Sequence, residues 1–473
     1  MKKILSLLLI SVLFFSCSED LMDEINQDRN NALEMQSKNL LPDLLLKTAF
    51  ESTATDIAWY ATVYVEHNAG TWNQSHQADN RIAQNASSLL NNSWNALYDV
   101  MNIAQTIINK TDPNGDDEPT EYWVRGIAQI MMAYNLAIAT DGWGEVPYTQ
   151  AFKGLDNVYP SYDKQSSLYP KIMTLLDDAI ENLGKDGTQY RDKDYIYGNL
   201  SAAANAAAWT KAAYALKARF ALRLTNINET QAATDALAAI PNAFAGTGDM
   251  LQLGGFALAL PGGNPWGEFW YWRDHLSVST TIYDLMVARN DTTRMDAFFS
   301  STDPGDIAPI GEAAQVQGGY SQSNFTSGWA AFSYPILMFT YHELKFIEAE
   351  AKFRLGDATW EAALQEAVEA SFGLNGLPGG TDYFNNDVKP RLTAGNELDE
   401  ILTQKYIAFF DREAIEAYND YKRTGIPEMK NPNNATVGFI WRFPWALSET
   451  SSNSANVPSY GIFDKTWWAG GAE

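Results

Sequence analysis

The stretch from Glu121 to Leu183 limits most strictly what this chain can become. It opens with EYWVRGIAQIMMAYNLAIAT, where Trp123, Ile127, Ile130, Met131, Tyr134 and Ile138 recur at three- and four-residue steps. That spacing predicts a helix with one apolar stripe to bury. The next segment, DGWGEVPYTQAFKGLDNVYPSYD, carries Gly142, Gly144, Pro147, Gly154 and Pro160, which oppose a continuous helix. A second helical run, KQSSLYPKIMTLLDDAIENL, is striped by Leu168, Ile172, Leu175, Leu176 and Ile180. The unit reads as an antiparallel helical hairpin carrying an ordered aromatic loop.

Three more pairs of this kind follow. Trp209, Ala213, Leu216, Phe220 and Leu224 stripe a helix from Ala202 to Leu224, and Glu229 to Ile240 is its expected partner. Leu344, Ile347, Ala351 and Leu355 stripe the next helix, Gly356 ends it, and Asp357 is placed to cap ATWEAALQEAVEASFG. ELDEILTQKYIAFF and DREAIEAYNDYKRTG form the fourth pair. Bulky residues alternating with alanine let helices approach closely, as in tetratricopeptide-like hairpins, although no full repeat consensus is present. Ahead of the first hairpin, helices are expected in LLPDLLLKTAF, over Asp56 to Glu66, and over Ser87 to Lys110. The fold class is mainly α, with tetratricopeptide-like hairpins and an irregular, loop-rich lobe at about 247–333 and 427–473.

The N-terminus is of another kind. Residues 1–16, MKKILSLLLISVLFFS, have two lysines, a short apolar run and a small final residue, the pattern of a secretory signal too short to span a bilayer. The only cysteine, Cys17, follows at once, so it has no internal disulfide partner. Its position fits lipidation after signal cleavage. Residues 17–30 then read as an acidic tether and 31–473 as one folded unit, since no Pro/Ser-rich or charged linker interrupts it. Removing Lys2 and Lys3 from the 33 basic residues, against 58 acidic ones, takes the formal charge from −25 to −27. Such a field opposes nucleic acid and anionic membrane surfaces. With 46% hydrophobic residues the acidity is that of a surface, not of a disordered chain.

Chemical motifs are sparse. There is no G-x-S-x-G, Walker A, H-E-x-x-H or dinucleotide fingerprint. His67 and His76 flank a turn beside Glu66, a spacing that suits a satisfied polar loop better than a metal set. TDPNGDDEPT resembles a calcium loop in its Asp112, Asn114 and Asp116, but the sixth and twelfth positions hold Asp117 and Trp123 where an EF-hand needs glycine and an acid. No cofactor is expected, and a structural calcium ion stays open. A glycosidase would need two carboxylates held about 5 Å or about 6.5–9.5 Å apart. Asp274, Asp284 and Glu268 are candidates by type only.

Aromatic residues in polar segments give the better lead. Their faces stack on the apolar side of sugar rings while neighbouring amides and carboxylates bond hydroxyls. Trp72 and Asn73 lie in GTWNQSHQ, Trp266, Trp270, Tyr271 and Trp272 in NPWGEFWYWRDH, and Tyr320, Phe325 and Trp329 in GGYSQSNFTSGWAAF. Trp72, Asn73, Trp266, Trp270, Tyr271, Tyr320 and Trp329 are the expected ligand-binding set, with packing of the lobe as the competing role for each.

Several of these blocks, in this order, resemble the SusD/RagB family of nutrient-binding outer-membrane lipoproteins. They are DGWGEVPYTQAFKGLDNVYPSYDKQSSLYPKIMTLLDDAI, HELKFIEAEAKFRLGD, ILTQKYIAFF with EAYNDYKRTGIP, and WRFPWALSE. LFFSC resembles the family's lipobox, and the acidic residues behind Cys17 resemble its surface-export signal, although an ordinary solvated tether fits them equally. The resemblance implies a SusD-like fold, a lipid anchor in the outer membrane facing the exterior, and a SusC-like TonB-dependent transporter as partner. It also implies an oligosaccharide or peptide ligand and no catalysis. The rivals are a secreted glycoside hydrolase or peptidase, and a purely structural transporter-associated scaffold.

Overall fold

The computed structural model describes residues 35–87 and 89–473. The expected signal at 1–16, the lipidated Cys17 and the tether at 17–30 lie outside the described residues. The principal helices are α1 (Ser37–Lys47), α2 (Asp56–Tyr64), α3 (Asn91–Lys110), α4 (Tyr122–Trp143), α5 (Gln165–Leu183) and α6 (Ala202–Leu222). They continue as α7 (Glu229–Ala239), α8 (Pro265–Trp272), α9 (Tyr341–Arg354), α10 (Trp360–Leu374), α11 (Glu397–Ala408) and α12 (Ala414–Thr424). From α3 to α7 each helix packs on the next, and α9 and α10 extend the row from α7. Two short antiparallel ribbons complete the fold, β1 (Asn68–Gly70) with β3 (Leu276–Val278) and β2 (Leu251–Leu253) with β4 (Ile336–Phe339).

Three of the expected hairpins form, and the fourth does not. Helices α11 and α12 touch little. The first packs on α9, while the second docks on α2, far back in the sequence. Their stripes found different partners, because periodicity says that a face is apolar and not what covers it. The single stripe expected on α4 is also corrected. Nearly every residue from Trp123 to Trp143 is buried, because α3, α5, α6 and the N-terminal elements surround this helix. Gly126 admits Leu183 of α5, whose side chain would lie within 2.8 Å of an added Cβ. Asp357 does not cap α10. It accepts from the Thr359 N–H (2.8 Å) and hydroxyl in the turn before the helix.

The loop-rich lobe is more regular than expected. Residues 247–333 contain α8, β2, β3 and helices Thr280–Val287 and Thr292–Phe298, and the polar segment around Trp72 forms β1 and helix Asn73–Asp79. The TDPNGDDEPT segment is a turn in which Asp112 Oδ1 accepts from the Asn114 N–H (3.0 Å).

Two buried polar systems hold the helices in place. In the first, Asp141 at the end of α4 accepts from the Tyr169 hydroxyl (2.5 Å) and Trp468 Nε1 (2.9 Å), and lies 3.4 Å from Arg223. Arg223 pairs with Glu416 of α12, while Arg219 pairs with Glu343 of α9 (2.6 Å). Arg423 joins Glu350 (2.7 Å) and Asp420 (2.9 Å), and Asp420 meets Lys405 of α11 (2.7 Å). Burial alone would raise Glu416, but Arg219 and Arg223 overcome it and hold the carboxyl below its usual range.

The second system closes the end of α4. Arg442 donates to the Trp143 carbonyl (3.0 Å) and pairs with Glu145 (2.7 Å). The Phe443 N–H donates to the Gly142 carbonyl (2.8 Å), and Trp143 Nε1 to the Pro444 carbonyl (2.9 Å). Gly144 turns the chain at φ +89°, and a Cβ there would lie 2.1 Å from Arg442 Nη1. Only glycine accepts both that backbone and that neighbour.

Two predictions follow from this packing. Arg442→Met leaves the Glu145 carboxylate buried and unpaired, and is expected to lower unfolding free energy by about 3–5 kcal/mol in urea titrations. His67 is neutral by geometry, its Nε2–H donating to the Tyr406 carbonyl (3.1 Å) while Nδ1 accepts the Asp411 N–H (3.2 Å). Burial pushes its pKa down to about 3, against 6.5 for the free side chain. Between those values the unfolded chain holds the extra proton, so stability falls as pH falls from about 6.5 toward about 3. His67→Gln is expected to remove one proton's share of that slope, about 1.4 kcal/mol per pH unit.

Candidate functional site

Helix α8 and the turn Trp329–Ser333 build the most aromatic exposed surface of the lobe. Asn264 starts the helix, its Oδ1 accepting from the Trp266 N–H (2.8 Å), and Pro265 occupies the first turn, where its missing N–H costs nothing. The Asn264 N–H also donates to the Phe332 carbonyl (2.8 Å). Gly267 faces Phe332 so closely that an added Cβ would sit 2.7 Å from its backbone nitrogen. The turn therefore lies directly against the helix.

This contact gathers five aromatic residues. Trp329 stacks on Phe332 (5.3 Å between centroids, 26°), Trp270 meets Trp329 edge-on (6.3 Å), and Tyr271 stands 5.6 Å from Trp329 and 4.9 Å from Trp272. Trp272 is 67% exposed, Trp329 54% and Tyr271 45%. Trp270 is half-buried and donates from Nε1 to Gln322 Oε1 (3.3 Å). Beside it Gln322 also donates to Asp274, whose carboxyl burial raises above its usual range against that bond.

The structure thus brings together Trp270, Tyr271 and Trp329 of the expected set, and adds Trp272. It separates the others. Trp266 is only 6% exposed and packs edge-on to Trp59 (6.3 Å), because the first turn of α8 faces the core. Tyr320 lies over the small cluster of Ala69, Ala308, Ile310 and Ala313, its hydroxyl accepting from the Ala314 N–H (3.1 Å). Trp72 is half-buried at the start of helix Asn73–Asp79, with Asn73 exposed beside it. The spacing of rings along the sequence could not separate these cases, because α8 turns successive residues to different sides.

On the opposite side of α8 lies a cleft of about 470 Å³. Asp56, Trp59 and Tyr60 of α2, Gln74, Asn91, Asn92, Phe269, Arg273 and His275 line it. Trp59 stacks on Phe269 (4.1 Å, 30°), and the His275 carbonyl accepts from the Thr71 N–H (2.8 Å), tying the cleft wall to β1. Burial and then the Arg273 charge push His275 down to about 4, so its ring is neutral at neutral pH. Burial raises the Asp56 carboxyl, with Arg273 opposing and Glu51 adding to the rise. Asp56 and Trp59 carry no signal of their own, since they sit in an expected helical run, and Phe269 stands in an aromatic segment that reads as loop. The Asn264–Pro265 start was the one available signal that α8 is a helix.

Of the carboxylates considered for hydrolysis, Asp284 pairs with Lys430 (2.8 Å) and Asp274 accepts from Gln322. Among the described residues no helix is long and apolar enough to cross a membrane.

The sequence profile of a SusD-like family, described as starch-binding and associating with the outer membrane, matches residues 29–443. A SusD/RagB family protein of known structure from Bacteroides thetaiotaomicron has a TM-score of 0.84 at 32% identity, covering 93% of this chain and 100% of that one. A chitin-binding SusD homolog from Flavobacterium johnsoniae gives 0.74 at 19% identity over 91% and 99%, and a SusD homolog from Bacteroides uniformis 0.72 at 20% over 92% and 100%. The last two likenesses are of fold. No curated protein matches the sequence. A shared helical architecture, the extent of the profile match and the identity to a solved SusD/RagB structure agree: the chain belongs to the SusD-like family.

Proposed function

We propose that this protein captures an oligosaccharide at the cell surface and delivers it to a SusC-like TonB-dependent transporter. A peptide is the second ligand class. The observation that carries the reading is the exposed ring platform of Tyr271, Trp272 and Trp329, fixed on a capped helix and a tightly docked turn. Rings held this way bind at low entropic cost, since little freedom is lost when a sugar face stacks on them. The family description and the chitin-binding relative support a saccharide. Lipidation at Cys17 would anchor the chain in the outer membrane, facing outward. Capture needs no cofactor and no covalent step, and the transporter supplies the energy for import.

Titration of the mature chain with oligosaccharides and peptides, followed by tryptophan fluorescence, tests this directly. Saturable binding without product formation is expected. Trp329→Ala and Trp272→Ala should each weaken it about tenfold. Tyr320→Phe, which loses only the hydroxyl beside Ala314, should leave affinity within about twofold. Product formation would transfer the assignment to hydrolysis. Separately, Cys17→Ala is expected to move the protein from the membrane fraction to the soluble one, measured by fractionation of expressing cells.

A further inference from the structure

Tyr271 and Trp272 serve one side of α8. Phe269 and Arg273, four residues apart, serve the other and wall the cleft against α2. Two opposite charges stand in that cleft without protein partners. Among the described residues neither the Asp56 carboxylate nor the Arg273 guanidinium makes a hydrogen bond or an ion pair, and each acts on the other only through its field. Asp56 is half-buried and Arg273 exposed at the cleft mouth, so both charges are open to a ligand, unlike Arg219 with Glu343 or Arg423 with Glu350, which are buried against each other. The stacked rings of Trp59 and Phe269 supply the apolar part of the same wall.

We propose that this cleft is a saccharide subsite selecting a neutral sugar ring with adjacent hydroxyls, which donate to Asp56 and accept from Arg273. The inference rests on the capture function above and names the ligand's chemistry. Each sugar hydroxyl both donates and accepts, so a single ring can serve the Asp56 acceptor and the Arg273 donor on one wall. A peptide group cannot do so as readily, because its N–H and C=O point in opposite directions. An acidic sugar gains Arg273 but meets Asp56, with Glu51 behind it and a formal charge of −25 on the whole chain. The local attractions and repulsions oppose each other, and the long-range field disfavours the anion.

The test applies wild type, Asp56→Asn, Arg273→Gln and Trp329→Ala to an array of neutral oligosaccharides, oligogalacturonates and short peptides. Affinities of retained probes follow by calorimetry, and thermal melts confirm that each variant is folded. The expected result is retention of neutral oligosaccharides over oligogalacturonates, with Asp56→Asn and Arg273→Gln each weakening binding about tenfold or more. Preferential binding of oligogalacturonates or peptides overturns the proposal. So does neutral-sugar binding that Trp329→Ala weakens while both cleft variants match wild type, a result that leaves the capture function standing. An array that retains nothing overturns both.

Discussion

The buried charges between α4, α6, α9, α11 and α12 are the constraint on which the rest of this molecule depends. An ion sealed from water costs several kcal/mol unless its partner and its remaining hydrogen-bond sites are satisfied. Asp141, Arg223, Glu416, Arg219 and Glu343 are satisfied only when four separate helices stand at one mutual depth. Apolar faces tolerate sliding and repacking far better than this. The charges therefore fix a register that the alanine-rich surfaces of α6 and α7 would leave loose.

The aromatic platform shows a related economy at smaller scale. Its rings sit on a helix of eight residues, too short to be stable alone. Tertiary contact holds it: Asn264 caps its start and reaches the Tyr334 carbonyl (2.8 Å), Gly267 receives Phe332, and Phe269 lies on Trp59. The ring positions are thus set by groups beneath and beside the exposed rings. Rigid support of this kind is what a recognition surface would need.

Much of this was legible in the sequence, and the failures have physical reasons. Helices α5, α6, α9 and α10 announced themselves by period, because each exposes one face and buries the other. Helix α4 shows a stripe as well, but Val124, Met132 and Leu136 off the stripe are buried too, as are its alanine, glycine and several polar positions, so one stripe understates what it buries. The pairing of α12 with α2 rests on contact between distant segments, which local pattern cannot carry. Trp270, Tyr271 and Trp329 were legible as aromatics in polar company, whereas Trp266 stands in the same company and is core. Asp56 and Arg273 were hardest of all. Each is an ordinary residue in its own segment, and what sets them apart is a partner they lack.

The closure of α4 by the Arg-Phe-Pro element has a consequence for the order in which the fold is assembled. The bond from Trp143 Nε1 to the Pro444 carbonyl spans 301 residues of chain, and the one from Trp468 to Asp141 spans 327. Contacts so distant carry a large loop-closure cost and form late. A chain emerging from its N-terminus has its most buried helix early, yet must wait for its last segment to seal that helix. Until then the bonds from Arg442, Phe443 and Pro444 that close the DGWGE loop cannot form.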